Sequence, residues 1–143
     1  LNTYHNYGWT IISRSKKYER YELGYQVYKH NFLVKQEKNQ DDLSQLQTVL
    51  HNLCWYQLKY HVGTPLEDCR LLFKSYENAD GLDYQQARLA VVLAEELNSS
   101  NETQTRGTID TIVQELRSFY NDPEHSSINT IKRRVKSVLG WDV

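Results

Sequence analysis

Apolar residues along most of this chain recur every three or four positions, which is the period of one face of an α-helix. Short runs rich in Asn, Asp, Ser, Gly and Pro separate the periodic stretches. No stretch alternates apolar and polar residues as a half-buried strand does. The pattern predicts an all-α chain of about seven helices joined by short loops.

The predicted helices form three antiparallel hairpins and a capping helix, at about 2–34, 42–77, 83–121 and 127–139. The clearest boundary is Gly63-Thr64-Pro65, because these residues suit a left-handed helix end, an N-cap and a first helical position. The polar stretch 98–107 has no apolar period and predicts a loop. We therefore expect a single helical domain over residues 1–143.

One short stretch occurs twice in the chain. Residues 5–9 are His-Asn-Tyr-Gly-Trp, and residues 51–55 are His-Asn-Leu-Cys-Trp. Aromatic residues at helical spacing follow each copy, as Tyr25 and Tyr28 in the first case and as Phe73 and Tyr76 in the second. Such self-similarity is typical of stacked helical hairpins, none of which buries its apolar face alone.

These two copies resemble the tetratricopeptide-repeat pattern over roughly residues 2–78. Residues 6–9 and 52–55 match the first helix of such a repeat, and the aromatic residues that follow match the second helix. The chain departs from the pattern at Tyr21, where the family usually has alanine, and in a longer turn between the helices. The resemblance implies an α-solenoid fragment in which the first helix of each hairpin lines a concave surface.

The resemblance also implies a binding site on those first helices. In peptide-binding members of the family, asparagines at the place of Asn6 and Asn52 hold the ligand main chain, because an amide can both donate and accept hydrogen bonds. The other predicted contacts lie one turn away on the same face: His5, Trp9, His51 and Trp55. The alternative is that these asparagines and tryptophans pack between hairpins.

Composition and charge narrow the possible partners. The 143-residue chain has a formal net charge of −1, so no global field attracts nucleic acid or an anionic membrane. No apolar run reaches spanning length, and Cys54 and Cys69 imply no disulfide framework, so we expect a cytoplasmic protein without membrane contact. The chain begins at Leu1 and contains no Met, and we expect a piece of a longer protein.

A basic run in the last predicted helix supports an alternative function. Its four cationic side chains are expected on the outer side of that helix: Lys132, Arg133, Arg134 and Lys136. Such a run is usually a solvated face, but it is also compatible with a nucleic-acid-associated regulatory domain whose binding weakens with salt. A third hypothesis is a structural or oligomerisation domain whose concave face is filled by its own residues or by a second copy.

Patterns typical of catalysis are absent from the sequence. There is no Gly-rich phosphate loop, nucleophile elbow or metalloprotease His-Glu pair. His51 and Cys54 share a helical face, but a structural zinc site needs a second closely spaced pair. The carboxylate pairs Glu67-Asp68 and Glu95-Glu96 are predicted to be surface or capping groups. We expect no enzyme activity, cofactor or metal, and favour a protein- or peptide-binding repeat domain that serves as a scaffold, adaptor or sensor.

Overall fold

A computed structural model describes residues 20–39 and 42–143 of the chain. Within these ranges the chain forms six α-helices and no strand, which confirms the predicted all-α class. The helices are α1 (Tyr21–Lys38), α2 (Gln47–Tyr60), α3 (Pro65–Ser75), α4 (Gly81–Asn98), α5 (Glu102–Tyr120) and α6 (Ser126–Leu139). A short 3₁₀ helix, Leu43–Leu46, leads into α2. The predicted count of seven includes a helix near residues 2–15, which lies outside the described residues.

Several helix ends follow the signals in the sequence. Gly63 has a φ of +71°, Pro65 occupies the first turn of α3, and Gly140 ends α6 with a φ of +75°. Thr64 does not cap α3 through its side chain as expected. Its backbone N–H instead donates a hydrogen bond to Oε1 of Gln57 at 2.8 Å, which ties the turn to α2.

The predicted loop over residues 98–107 is wrong in most of its length, because α5 already begins at Glu102. Asn101 is the N-cap, and its side-chain oxygen accepts a hydrogen bond from the first turn at 3.3 Å. The buried face of α5 starts only at Thr105 and continues at Ile109. The first turn therefore carries no apolar residue, and hydrophobic periodicity cannot detect it.

All six described helices contribute to the hydrophobic core, and α2 and α4 are the most enclosed of them. In α2, all six residues from position 53 to position 58 are buried. In α4 the buried side chains include Leu89, Ala90, Leu93 and Ala94, on more than one side of the helix. A helix with apolar residues on several sides is packed between neighbours, as the Ala- and Leu-rich sequence of α4 predicts.

Each described helix packs against the next one along the chain, as antiparallel hairpins do. In addition α2 contacts α4, and α6 folds back to contact both of these helices. The ring Nε2 of His61, at the end of α2, lies 2.9 Å from the backbone oxygen of Val138 in α6. The described helices thus form a bundle in which the last helix returns to the first described hairpins.

A buried carboxylate joins the first three helices of this bundle. Asp68 of α3 is only 2% exposed. Nζ of Lys29 in α1 donates a hydrogen bond to its Oδ1 at 2.9 Å, and Nε2 of Gln57 in α2 donates one to its Oδ2 at 2.9 Å. The expectation that Asp68 is a surface or capping group is therefore wrong. Burial of a charge is tolerated here because it is both paired and hydrogen-bonded.

Glu96 is a second buried carboxylate, and it holds the turn between α4 and α5. It is 7% exposed, and its two oxygens accept hydrogen bonds from the backbone N–H of Asn101 at 2.9 and 3.0 Å. The hydroxyl of Thr105 also donates to Oε1 of Glu96, at 3.0 Å. The prediction of a surface role is wrong for Glu96 as well.

The α1–α2 contact is built from tyrosine rings. Tyr21 and Tyr60 stack with ring centres 4.2 Å apart, and Tyr56 lies 4.8 Å from Tyr60. The hydroxyl of Tyr56 donates to the backbone oxygen of Tyr21 at 2.8 Å. Gly24 permits this approach, because a Cβ at that position would overlap the Tyr56 hydroxyl.

Replacing Asp68 with alanine should strongly destabilise the bundle. The change leaves the buried Gln57 amide without an acceptor and the part-buried Lys29 ammonium without its partner, and an unsatisfied buried donor costs about 1–3 kcal/mol of unfolding free energy, or more for a charged group. Urea unfolding followed by circular dichroism measures this loss. The matched control is Glu67→Ala, at the exposed neighbouring position, which should cost less than about 1 kcal/mol. Equal losses in the two variants would contradict a special role for Asp68.

A candidate binding cleft between α2 and α6

Three of the six predicted peptide contacts lie in the described part of the chain, all on α2. Asn52 is exposed, His51 is half-buried and Trp55 is buried with 7% of its surface exposed. The other three residues, His5, Asn6 and Trp9, lie outside the described residues. The expectation that Asn6 and Asn52 line one concave surface therefore stays a prediction.

The three described residues surround one cleft between α2 and α6, with a volume of about 260 Å³. Its aromatic lining includes the rings of Trp55, Tyr28, Tyr56 and Tyr60. Its polar lining consists of side chains from both helices: His51, Asn52, Lys59, Tyr60, Arg134 and Ser137. The fold thus joins the predicted peptide contacts of α2 to one member of the basic run in α6.

Arg134 is the side chain that connects the two walls. Its guanidinium carbon lies 4.3 Å from the centre of the Trp55 ring, a cation–π contact. Its Nε donates to Oε1 of Gln86 in α4 at 3.3 Å, and its Nη2 lies 3.4 Å from Nε2 of His51. A guanidinium has only donors, so this last contact requires an imidazole whose Nε2 carries no proton.

The electrostatics of His51 favour that neutral form. Burial lowers the pKa of His51 below its ordinary value of 6.5, and the nearby positive charge of Arg134 lowers the pKa further, against an opposing effect of Asp83. Asp83 and His51 both line a second cavity of about 230 Å³ beside the cleft. Burial also lowers the pKa of Arg134, and the charge of Arg133 acts in the same direction.

The basic run of α6 does not lie on one outer face as expected. Lys132, Arg133 and Lys136 are exposed, whereas Arg134 is half-buried against α2. Each residue advances about 100° around a helix, which turns Arg134 about 200° away from Lys132. Lys136 forms a surface ion pair with Asp142 at 3.2 Å. The expected four-charge face is therefore wrong with respect to Arg134.

The cleft is positively charged where the structure describes it. No Asp or Glu is among its described lining residues. The ion pairs of the described chain involve neither Arg134 nor Lys59. The indole N–H of Trp55 is buried, and it is the one such side-chain group in the described ranges without a hydrogen-bond partner. The cations Arg134 and Lys59 therefore keep the capacity to bind an acidic group.

The two cysteines do not take part in the cleft. Cys54 and Cys69 are buried free thiols, and burial raises the pKa of the Cys54 thiol well above its usual range. A thiol of this kind is a poor nucleophile, because the thiolate is the reactive form. Among residues 20–39 and 42–143, no group of three or more metal-ligating side chains comes together.

A larger groove of about 660 Å³ lies elsewhere, at the α2–α3 turn. Its lining includes Pro65, Leu66 and Arg70 of α3 and Leu97 of α4, and none of the predicted site residues. Volume alone favours this groove. The smaller cleft has the stronger chemical case, because it combines aromatic walls, hydrogen-bonding groups and cations that form no ion pair within the described chain.

Comparison of the chain with known protein families, curated proteins and solved structures gives no match. In the described part of the chain, no helix combines the length and the apolar character needed to cross a bilayer. The function is therefore inferred from the residues of the cleft.

We expect His51 to make the protein less stable in mild acid. Its pKa is lower folded than unfolded, so the unfolded chain binds the proton first, and the free energy of unfolding falls as pH drops through about 6.5. At higher pH this contribution disappears. Thermal unfolding of the wild type and of His51→Gln at about pH 7.5 and about pH 5 measures the difference. The variant should lose less stability between these values, and an equal loss in both proteins would contradict the prediction.

Proposed function

We propose that this chain is a non-catalytic protein- or peptide-binding domain, acting as a scaffold, adaptor or sensor part, and that the α2–α6 cleft is its binding site. One observation carries the proposal. Asn52, His51 and Trp55, which the repeated stretch singles out, border the same open cleft.

The surroundings of Asn52 favour a ligand contact over a structural role. Asn52 is exposed, and none of the hydrogen bonds found within the described residues involves its amide. An asparagine that held two hairpins together would instead be buried and bonded to a neighbour. A free amide beside an open cleft can donate to and accept from an extended peptide main chain.

Trp55 and its neighbours give the cleft a rigid floor. The indole is largely buried, and Arg134 covers one region of its surface. The Tyr60 ring contacts the rings of Tyr56 and Tyr21, and the Tyr56 hydroxyl donates a hydrogen bond to the backbone oxygen of Tyr21. Such preorganisation lowers the entropic cost of binding, because few side chains have to be ordered when a ligand arrives.

We further propose that α2 and α3 form a tetratricopeptide-like hairpin. Support comes from the antiparallel packing of these helices across the Gly63 turn and from the position of the second copy, residues 51–55, on α2. The return of α6 onto α2 adds a second wall to the site. A linear array of hairpins would leave this surface open.

The alternative of nucleic-acid binding has some support from Lys132 and Arg133, which are exposed on α6. Its weakness is that the four charges do not form one row, because Lys136 pairs with Asp142 and Arg134 lies against Trp55 in the cleft. Nucleic-acid affinity depends on several phosphate contacts made together. The peptide hypothesis is therefore the stronger of the two.

Selection of peptides on the purified chain tests the proposal. Phage-displayed random peptides of about 12 residues are long enough to cross such a cleft in an extended conformation. The selected peptides should bind Asn52→Ala about tenfold more weakly than the wild type, which corresponds to about 1.4 kcal/mol.

The melting temperature of Asn52→Ala should stay close to that of the wild type, since the side chain is exposed. The control is Asn78→Ala, in the exposed turn before α4, which should change neither affinity nor stability. Failure to select any peptide, or equal binding by wild type and Asn52→Ala, would reject the proposed function.

A further inference from the structure

We propose that the α2–α6 cleft is specific for an acidic peptide segment, and that Arg134 binds an Asp or Glu carboxylate of that segment. This inference rests on the proposed function and adds the chemistry of the partner.

Arg134 is a half-buried cation without an acidic partner in residues 20–39 and 42–143. Two other cations at helix interfaces do have an acidic partner within the fold. Lys29 pairs with the buried Asp68 at 2.9 Å, and Arg88 pairs with Glu115. Partial burial of a charge is unfavourable unless an opposite charge or strong hydrogen bonds offset it. An acid supplied by a partner would do so for Arg134.

The guanidinium of Arg134 has donors left for that acid. It carries five N–H groups, of which Nε is directed to Gln86 and one hydrogen on Nη2 to His51. Both N–H groups of Nη1 and the second one of Nη2 make no hydrogen bond within the described chain. These N–H groups form the planar fork that binds a carboxylate through two parallel hydrogen bonds.

The orientation of this fork is fixed before any ligand binds. The Trp55 ring lies 4.3 Å from the guanidinium, and contacts with Gln86 and His51 come from two further directions. A long side chain that is already held loses little rotational freedom on binding. Arg134 is therefore better prepared to select an acidic group than the exposed Lys132 and Arg133 are.

The rest of the cleft favours an acidic peptide. Lys59 adds a second positive charge, with its ammonium 5.4 Å from the centre of the Tyr60 ring, and no described lining residue is an acid that would repel the ligand. The Asn52 amide and the Ser137 hydroxyl line the same cleft. They provide hydrogen-bonding groups for the peptide main chain beside the carboxylate.

Nucleic acid fits these features less well. Binding of single strands uses several phosphate contacts together with aromatic faces on which bases stack. Here one Tyr60 face stacks on Tyr21 at 4.2 Å, and Arg134 covers the Trp55 ring. Arg134 also points away from the exposed cations of α6, so the described lining of the cleft presents two cations, Arg134 and Lys59, where a phosphate backbone needs a row of charges.

The test compares Arg134→Gln with Arg133→Gln, using peptides selected on the wild type. Each variant removes one positive charge from α6, but only the first removes it from the cleft. We expect acidic residues to be enriched in the selected peptides. Arg134→Gln should weaken their binding about tenfold or more, and Arg133→Gln should weaken it less than about twofold.

A second measurement keeps the test independent of the folding of Arg134→Gln. Synthetic peptides in which the enriched Asp or Glu is replaced by Asn or Gln should bind the wild type about tenfold more weakly than the parent peptides. The same replacement should change binding to Arg134→Gln little, because the partner of the carboxylate is already absent.

The outcomes separate this inference from the proposed function. Selection of non-acidic peptides, with binding that depends on Asn52 but not on Arg134, would overturn the acidic specificity and leave peptide binding intact. Failure to select any peptide would reject both. Tight, salt-sensitive binding of a single-stranded RNA oligonucleotide, weakened equally by Arg133→Gln and Arg134→Gln, would also overturn the inference.

Discussion

The position of α2 depends on the buried carboxylate of Asp68. Lys29 binds it from α1 and Gln57 binds it from α2, so three helices meet at one charged group. Gln57 also accepts a hydrogen bond from Thr64 and thereby fixes the turn into α3. Trp55 lies about 200° around α2 from Gln57, because each residue advances about 100°. The Asp68 contact of α2 is therefore on the opposite side from the Trp55 wall of the cleft, and a ligand on that wall does not compete with it.

Hydrophobic periodicity predicts the fold class and the enclosed position of α4, since both depend on apolar side chains at helical spacing. It does not predict the features of the fold that polar groups stabilise. The first turn of α5 is polar but helical because Asn101 caps it, and Glu96 in turn accepts a hydrogen bond from the backbone N–H of Asn101. The sequence predicts a surface or capping position for Asp68 and Glu96, because it shows only that these residues are charged. It does not show that a distant Lys29 or a nearby backbone N–H can satisfy the charge.

The candidate site is predictable only on one of its walls. His51, Asn52 and Trp55 share a face of α2 because of their spacing, which the repeated stretch reveals. The contacts of His51 and Trp55 with Arg134 join residues that are 83 positions apart in the case of His51, and no local pattern contains that information. Arg133 and Arg134 are adjacent in the sequence, and for that reason the basic run predicts them on one face. The turn of the helix instead directs the two side chains to different surfaces.

Asp68 and Arg134 show two ways in which one small domain handles a charge removed from water. Asp68 is nearly inaccessible, and its partners from α1 and α2 belong to the same fold. Its charge is therefore compensated as soon as the chain folds. Arg134 is half-buried, and a tryptophan ring, an amide and a neutral imidazole surround it without any opposite charge from the described residues. Those contacts hold its position but leave its charge unbalanced. A charge that is held in place but unbalanced is what a binding site for an anion needs, because the missing interaction is then supplied by the ligand.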